Sequence, residues 1–137
     1  LDGADLTACN NTRFTDVAAG SWYDSAVAWA LESKTANGIS ETRFAPDEPI
    51  TREEMAVMLN NYINYRAYKI GTPYADFTPF SDIGSVSSWA EDAVPLIQGY
   101  GIINGKPGNM FDPLGAATRA ESCAVFRRLI GIIVNME

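Results

Sequence analysis

The chain has 137 residues, 10 basic and 17 acidic side chains, a net charge of −7, 47 % apolar and 20 % charged residues. That length fits one compact domain or two small units sharing a core, and the composition excludes collagen, a coiled-coil rod and wholesale disorder. The longest strongly apolar run, Leu129 to Val134, is far short of a membrane span. An acidic chain suits neither nucleic acid nor an anionic membrane, and the absence of histidine removes Ser-His and Cys-His nucleophiles, His-ligated metals and His pH switches.

In chain order, residues 1–13 read as a polar tail. The chain starts at Leu1 with no charged-then-apolar leader, as a processed product or an excised fragment would. Cys9 and Cys123 are too few for a disulfide framework and too far apart for a CxxC site; a single long-range disulfide and two free thiols both stay open. Ser21-Trp-Tyr-Asp24 is a capping-box-like start, and a first helix is expected over 22–33. Asn37-Gly38 marks a tight turn, and a short extended piece ends at Phe44. Pro46 keeps the following chain out of helix. Thr51-Arg-Glu-Glu54 is a fuller capping box, with Thr51 and Glu54 as structural caps. It opens a second helix whose stripe Met55, Met58, Leu59, Tyr62 and Ile63 has helical spacing. A connector over 71–79, with Gly71, Pro73 and Pro79, follows.

The same order then returns. Shifted by 67 residues, Trp22 falls on Trp89, Asn37-Gly38 on Asn104-Gly105, Phe44 on Phe111, Pro46 on Pro113, Thr51-Arg52 on Thr118-Arg119 and Glu54 on Glu121. With one extra residue, Phe14-Thr-Asp-Val17 matches Phe80-Ser-Asp-Ile83. Ser88-Trp-Ala-Glu91 opens a first helix expected over 89–100. Thr118 and Glu121 cap a second, with Val125, Phe126, Leu129, Ile130 and Ile133 as its stripe. The chain therefore divides into repeats over 14–70 and 80–137. Neither can bury a core alone, so they are expected to pack together, through their second helices. Two positions depart from the symmetry. Pro95 stands inside the expected helix, where it would kink or restart it. Lys34 stands opposite Gly101, which suggests a differently built turn in the first repeat.

The ordered frame F-[TS]-D-[VI], W, N-G, F-x-P, T-R-x-E, present twice, resembles the S-layer homology domain. Thr118-Arg-Ala-Glu121 is that family's signature unaltered, and Thr51-Arg-Glu-Glu54 differs at its least demanding position. The resemblance implies a mainly α fold, two helix–loop–helix repeats in a shared bundle with little β. It also implies a non-catalytic, secreted module of the bacterial cell surface that anchors proteins to the cell wall. The implied partner is a secondary cell-wall polymer bearing a pyruvate ketal, or a peptidoglycan-linked glycan, held in grooves near the Thr-Arg-x-Glu motifs. The family usually carries three repeats, so self-association or further repeats completing a three-repeat bundle form the alternative reading.

Arg52 and Arg119 stand at the first helical position, where a cation opposes the helix dipole and an anion would compensate it. A guanidinium grips a carboxylate with two prongs, so both are candidate ligand residues, set against a salt bridge to Asp16 or Asp82. Asp16 and Asp82 could accept sugar hydroxyls, orient the arginine or cap a turn. Trp22 and Trp89 could stack on a pyranose with an edge while partly buried. The adjacent acids Glu53-Glu54 and Glu91-Asp92 point about 100° apart on helices and do not face each other across a cleft as a glycosidase pair must. No calcium loop, phosphate loop or nucleophile elbow is present, so neither an enzyme nor a metal or cofactor is expected.

Overall fold

The computed structural model describes residues 13–66 and 76–134. It contains helices α1 (Asp24–Glu32), α2 (Arg52–Tyr65), α3 (Ala93–Gly99) and α4 (Arg119–Val134), with a 3₁₀ turn at Ile83–Ser85. Among the described residues there is no strand, only isolated bridges at Thr51–Ala116 and Lys106–Met110, in keeping with the mainly α expectation. The tail that holds Cys9 lies outside the described residues; Cys123 is exposed and free.

Two compact units are present, Leu1–Glu48 and Pro49–Glu137. This division does not follow the sequence repeat, because α2, the second helix of the first repeat, packs with the second repeat. Met55, Ala56, Leu59 and Ile63 of α2 share one core with Phe80, Val94, Ile97, Ile102, Phe111, Val125 and Leu129. The helix packed on α2 is α3, so packing through the two second helices is corrected to α2 on α3. The first unit has a smaller core of Phe14, Val17 and Val27, with Tyr23, Leu31 and Phe44 against it.

The two F-x-P loops are built alike. In the first unit the Asp16 carboxylate accepts the amides of Phe44 at 2.9 Å and Ala45 at 2.8 Å. In the second, Asp82 accepts those of Phe111 and Asp112, each at 2.7 Å. These bonds hold Ala45 at φ 62° and Asp112 at φ 56°, left-handed backbone that a non-glycine residue adopts at about 1–2 kcal/mol. The Asn-Gly glycines serve the same loops. A Cβ on Gly38 would come within 2.7 Å of the Phe14 ring, and one on Gly105 within 3.1 Å of the Phe80 ring.

Three local expectations are corrected. The first helices start later, at Asp24 and Ala93, and neither Ser21 nor Ser88 caps them; the N-caps are Tyr23 and Asp92, without side-chain bonds. Successive tight turns, with Ala90 N donating to Ser87 O and Ala93 N to Ala90 O, occupy the chain ahead of α3. Pro95 is consequently the third residue of a 7-residue helix, in the first turn, where a missing N–H breaks no bond. Lys34 takes φ 57° where Gly101 takes φ 68°, so both repeats build this turn in the same way and Lys34 carries the left-handed strain.

Candidate functional site

The Thr51-Arg-Glu-Glu54 motif folds as a capping box. Glu54 N donates to Thr51 Oγ1 at 3.2 Å, and Thr51 N donates to Glu54 Oε2 at 2.7 Å. This places Arg52 and Glu53 at the start of α2, where their amides have no helical partner. Arg52 N donates to Gly115 O at 2.9 Å and Glu53 N to Pro113 O at 3.0 Å. The helix end is thus seated on the second repeat's F-x-P loop.

The Arg52 side chain completes the seat. Its Nε donates to Phe111 O at 2.5 Å, one terminal nitrogen to Glu121 Oε1 at 2.5 Å and the other to Asn104 O at 3.2 Å. The guanidinium lies 5.3 Å from the Phe111 ring centroid, and the residue is 2 % exposed. Its carboxylate partner is Glu121, not Asp16 or Asp82. Glu121 Oε2 also accepts Thr118 N at 2.8 Å while Glu121 N donates to Thr118 Oγ1 at 3.2 Å. One carboxylate therefore both caps α4 and clasps Arg52. The Thr118 amide, with further help from the Thr118 hydroxyl, Arg52 and Lys106, holds the Glu121 carboxyl below its ordinary value. Burial pushes Asp82 up, but the amides of Phe111 and Asp112, with the Arg52 charge, bring it below its ordinary value. The amides of Phe44 and Ala45 lower Asp16, with Arg43 at 3.9 Å.

Glu53 was not singled out by the repeat frame. It is 1 % exposed and accepts Ser87 N at 2.9 Å and Ser87 Oγ at 2.8 Å. Position 53 is therefore not the motif's least demanding one; the sequence signal was the departure itself, Glu53 against Ala120. Lys106, bonded to Asp112 Oδ2 at 2.6 Å, is a second residue that the motif frame passed over.

The structure thus gathers Arg52, Glu121 and Asp82 around the Phe111 loop, holds Asp16 at the Phe44 loop and leaves Arg119, Trp22 and Trp89 exposed. Arg119 opens α4 exposed, and no ion pair or side-chain hydrogen bond engages it among the described residues. Trp22 is 92 % and Trp89 56 % exposed, so the expected partial burial of Trp22 is corrected: among the described residues its ring meets that of Tyr23, edge-on at 5.3 Å. Both oxygens of Asp16 and of Asp82 are occupied by backbone amides. Among the described residues no His, Cys, Asp and Glu cluster could hold a metal, and no helix is long and apolar enough to cross a membrane.

Comparison with known proteins agrees with the double motif. The family model of the S-layer homology domain matches residues 13–56 and 79–121. The chain is 39 % identical over 124 residues to the exoglucanase XynX of Acetivibrio thermocellus, covering 88 % of this chain and 11 % of that protein. It is 30 % identical over 129 residues to the surface-layer 125 kDa protein of Lysinibacillus sphaericus, covering 92 % and 10 %. It is 29 % identical over 131 residues to the cellulosome-anchoring protein of A. thermocellus, covering 93 % and 29 %. The chain therefore spans less than a third of the length of each of these relatives. No solved structure matches it significantly. Two matched copies of the family model, on the residues that build the two F-x-P loops and the two capping boxes, place the chain in the S-layer homology domain family of non-catalytic, cell-wall-associated surface modules.

Proposed function

We propose that this module anchors its parent protein by binding an anionic secondary cell-wall polysaccharide that bears a pyruvate carboxylate, with Arg119 as the gripping cation. The observation that carries the reading is the exposed, unengaged guanidinium of Arg119 at the start of the 16-residue α4. A cation there opposes the helix dipole, and a carboxylate reverses that penalty. Trp22 and Trp89 add exposed indole faces of the kind that stack on pyranose rings. Arg52, Asp16 and Asp82 take part through the loops they hold: Arg52 and Asp82 shape the Phe111 loop, and Asp16 shapes the Phe44 loop. The similarity to a surface-layer protein and to a cellulosome-anchoring protein favours the same reading.

At a net charge of −7 the chain repels an acidic polymer at long range, so binding rests on local, well-aligned contacts. Calorimetry with pyruvylated and depyruvylated polymer fragments tests this. Arg119→Ala is expected to abolish binding. Arg119→Lys is expected to weaken it at least tenfold, because the charge stays and the two-pronged geometry goes. Unchanged affinity in a folded Arg119→Ala variant overturns the assignment.

A further inference from the structure

Each repeat holds an Asn-Gly pair, Asn37-Gly38 and Asn104-Gly105, and packing requires the glycine in both. A Cβ on Gly38 would stand 2.6 Å from Arg43 O and 2.7 Å from the Phe14 ring; one on Gly105 would stand 3.1 Å from both Asn109 Oδ1 and the Phe80 ring. Gly38 also takes φ 76°, left-handed backbone that glycine adopts at no steric cost. A side chain on the residue after an asparagine hinders the intervening amide from reaching the asparagine's own Cγ. At these two positions the fold leaves no space for that protecting side chain.

The reacting groups of both pairs are also unrestrained. Asn37, Gly38, Asn104 and Gly105 are all exposed. Among the described residues neither asparagine's side-chain amide makes a hydrogen bond, and neither Gly38 N nor Gly105 N donates one. The other described asparagines are held. Asn109 Nδ2 donates to Pro79 O at 2.8 Å, and the next amide, Met110 N, donates to Lys106 O at 3.4 Å. Asn60, Asn61 and Asn64 lie within α2, where the following amides are committed to carbonyls one turn earlier.

We propose that Asn37 and Asn104 are sites of spontaneous deamidation, with Arg52 slowing the second. The glycine nitrogen loses its proton to hydroxide and attacks Cγ of the asparagine. A new C–N bond closes a succinimide ring, the bond from Cγ to Nδ2 breaks, and the side-chain nitrogen takes a proton from water and leaves as ammonia. Water then opens the ring at either carbonyl, giving aspartate or, with the backbone rerouted through Cβ and Cγ, isoaspartate. Ring closure swings the Asn-Gly peptide plane toward the side chain. At Asn104 that plane is tied, because its carbonyl accepts the Arg52 guanidinium at 3.2 Å from a residue that is 2 % exposed. Each event adds a negative charge to a chain already at −7. Isoaspartate also adds a backbone atom beside the Phe14 or Phe80 ring, where even a Cβ is crowded.

The test is peptide mapping of the full, folded chain kept in warm, mildly alkaline buffer, reading amide-to-acid conversion and isoaspartate at each asparagine over time. Asn37 and Asn104 are expected to convert at least severalfold faster than Asn109, and faster again as pH rises. Conversion at the two pairs no faster than at Asn109 overturns the proposal. So does a rate at the pairs that stays level with pH, since ring closure needs the deprotonated glycine amide. Arg52→Lys is expected to raise conversion at Asn104 at least severalfold while Asn37 and Asn109 keep their rates. An unchanged Asn104 in that variant removes Arg52 from the account. A rise shared equally by Asn37 and Asn109 would report a general loosening of the fold and would remove it too.

Discussion

Arg52 and Arg119 occupy the same motif position in opposite environments, so truncating each to alanine should have very different consequences for stability. Arg52→Ala removes two bonds to backbone carbonyls and one to Glu121, along with the packing of the guanidinium on the Phe111 ring. Breaking a buried ion pair costs about 3–5 kcal/mol. Glu121 retains 27 % side-chain exposure and its Thr118 bond, so its own penalty falls at the low end. The carbonyls of Phe111 and Asn104, left without their donors, add about 1 kcal/mol each. We expect about 5 kcal/mol for Arg52→Ala and less than about 0.5 kcal/mol for Arg119→Ala, whose side chain engages no partner among the described residues. Urea unfolding followed by tryptophan fluorescence, at concentrations low enough to exclude association, reads both. With a slope of roughly 1–3 kcal/mol/M, Arg52→Ala should lower the midpoint by roughly 2–5 M and Arg119→Ala should leave it in place. Arg52→Lys should recover less than half the loss, because an ammonium cannot reach three acceptors in the guanidinium's planar fork. Equal midpoints for the two alanine variants would refute the assignment of Arg52 to a buried junction.

Glu53→Ala should destabilise by about 1–3 kcal/mol, since it strips both bonds from Ser87; a double-mutant cycle with Ser87→Ala should return a clear coupling, and strict additivity would contradict the contact. Thr51→Ala and Thr118→Ala should each cost about 0.5–2 kcal/mol in a thermal melt through the lost cap, and two unchanged melts would deny the capping role. Asp16, Asp82 and Glu121 titrate below their ordinary values of 3.8, 3.8 and 4.5 in the fold. The folded chain therefore binds fewer protons than the unfolded one. These contributions are complete above the ordinary values and are lost as pH falls through them to the folded ones. Without histidine, stability should be level from about pH 5.5 to 7 and drop only below about pH 4.5; a main loss centred near pH 6 would contradict this.

How much of this was legible in the sequence depended on whether a motif acts within its own loop or across to another repeat. The Thr-x-x-Glu boxes act within three residues, so their pattern specifies their bonds directly. The Asp of F-[TS]-D was harder. Its partners, the F-x-P amides, lie 28–30 residues away, and a local turn cap read the same in sequence. The partner of Arg52 could not be read at all, because Glu121 is 69 residues distant and belongs to the other copy's capping box. The same crossing explains why α2 joins the second compact unit although the repeat boundary lies after it. Pro95 misled because the first helices were drawn from Trp22 and Trp89, whereas consecutive tight turns delay α3 until Ala93. The exposure of both Trp residues runs against the usual burial of large aromatics, and such a departure is what a binding surface leaves in a sequence.

The most direct test of the anchoring account is co-sedimentation of the whole chain with purified cell-wall fragments, before and after the pyruvylated secondary polymer is stripped from them. The account expects the chain to pellet with intact walls, to stay in the supernatant with stripped walls, and to be displaced from intact walls by soluble pyruvylated fragments. Equal pelleting with intact and stripped walls, undiminished by those fragments, would contradict it.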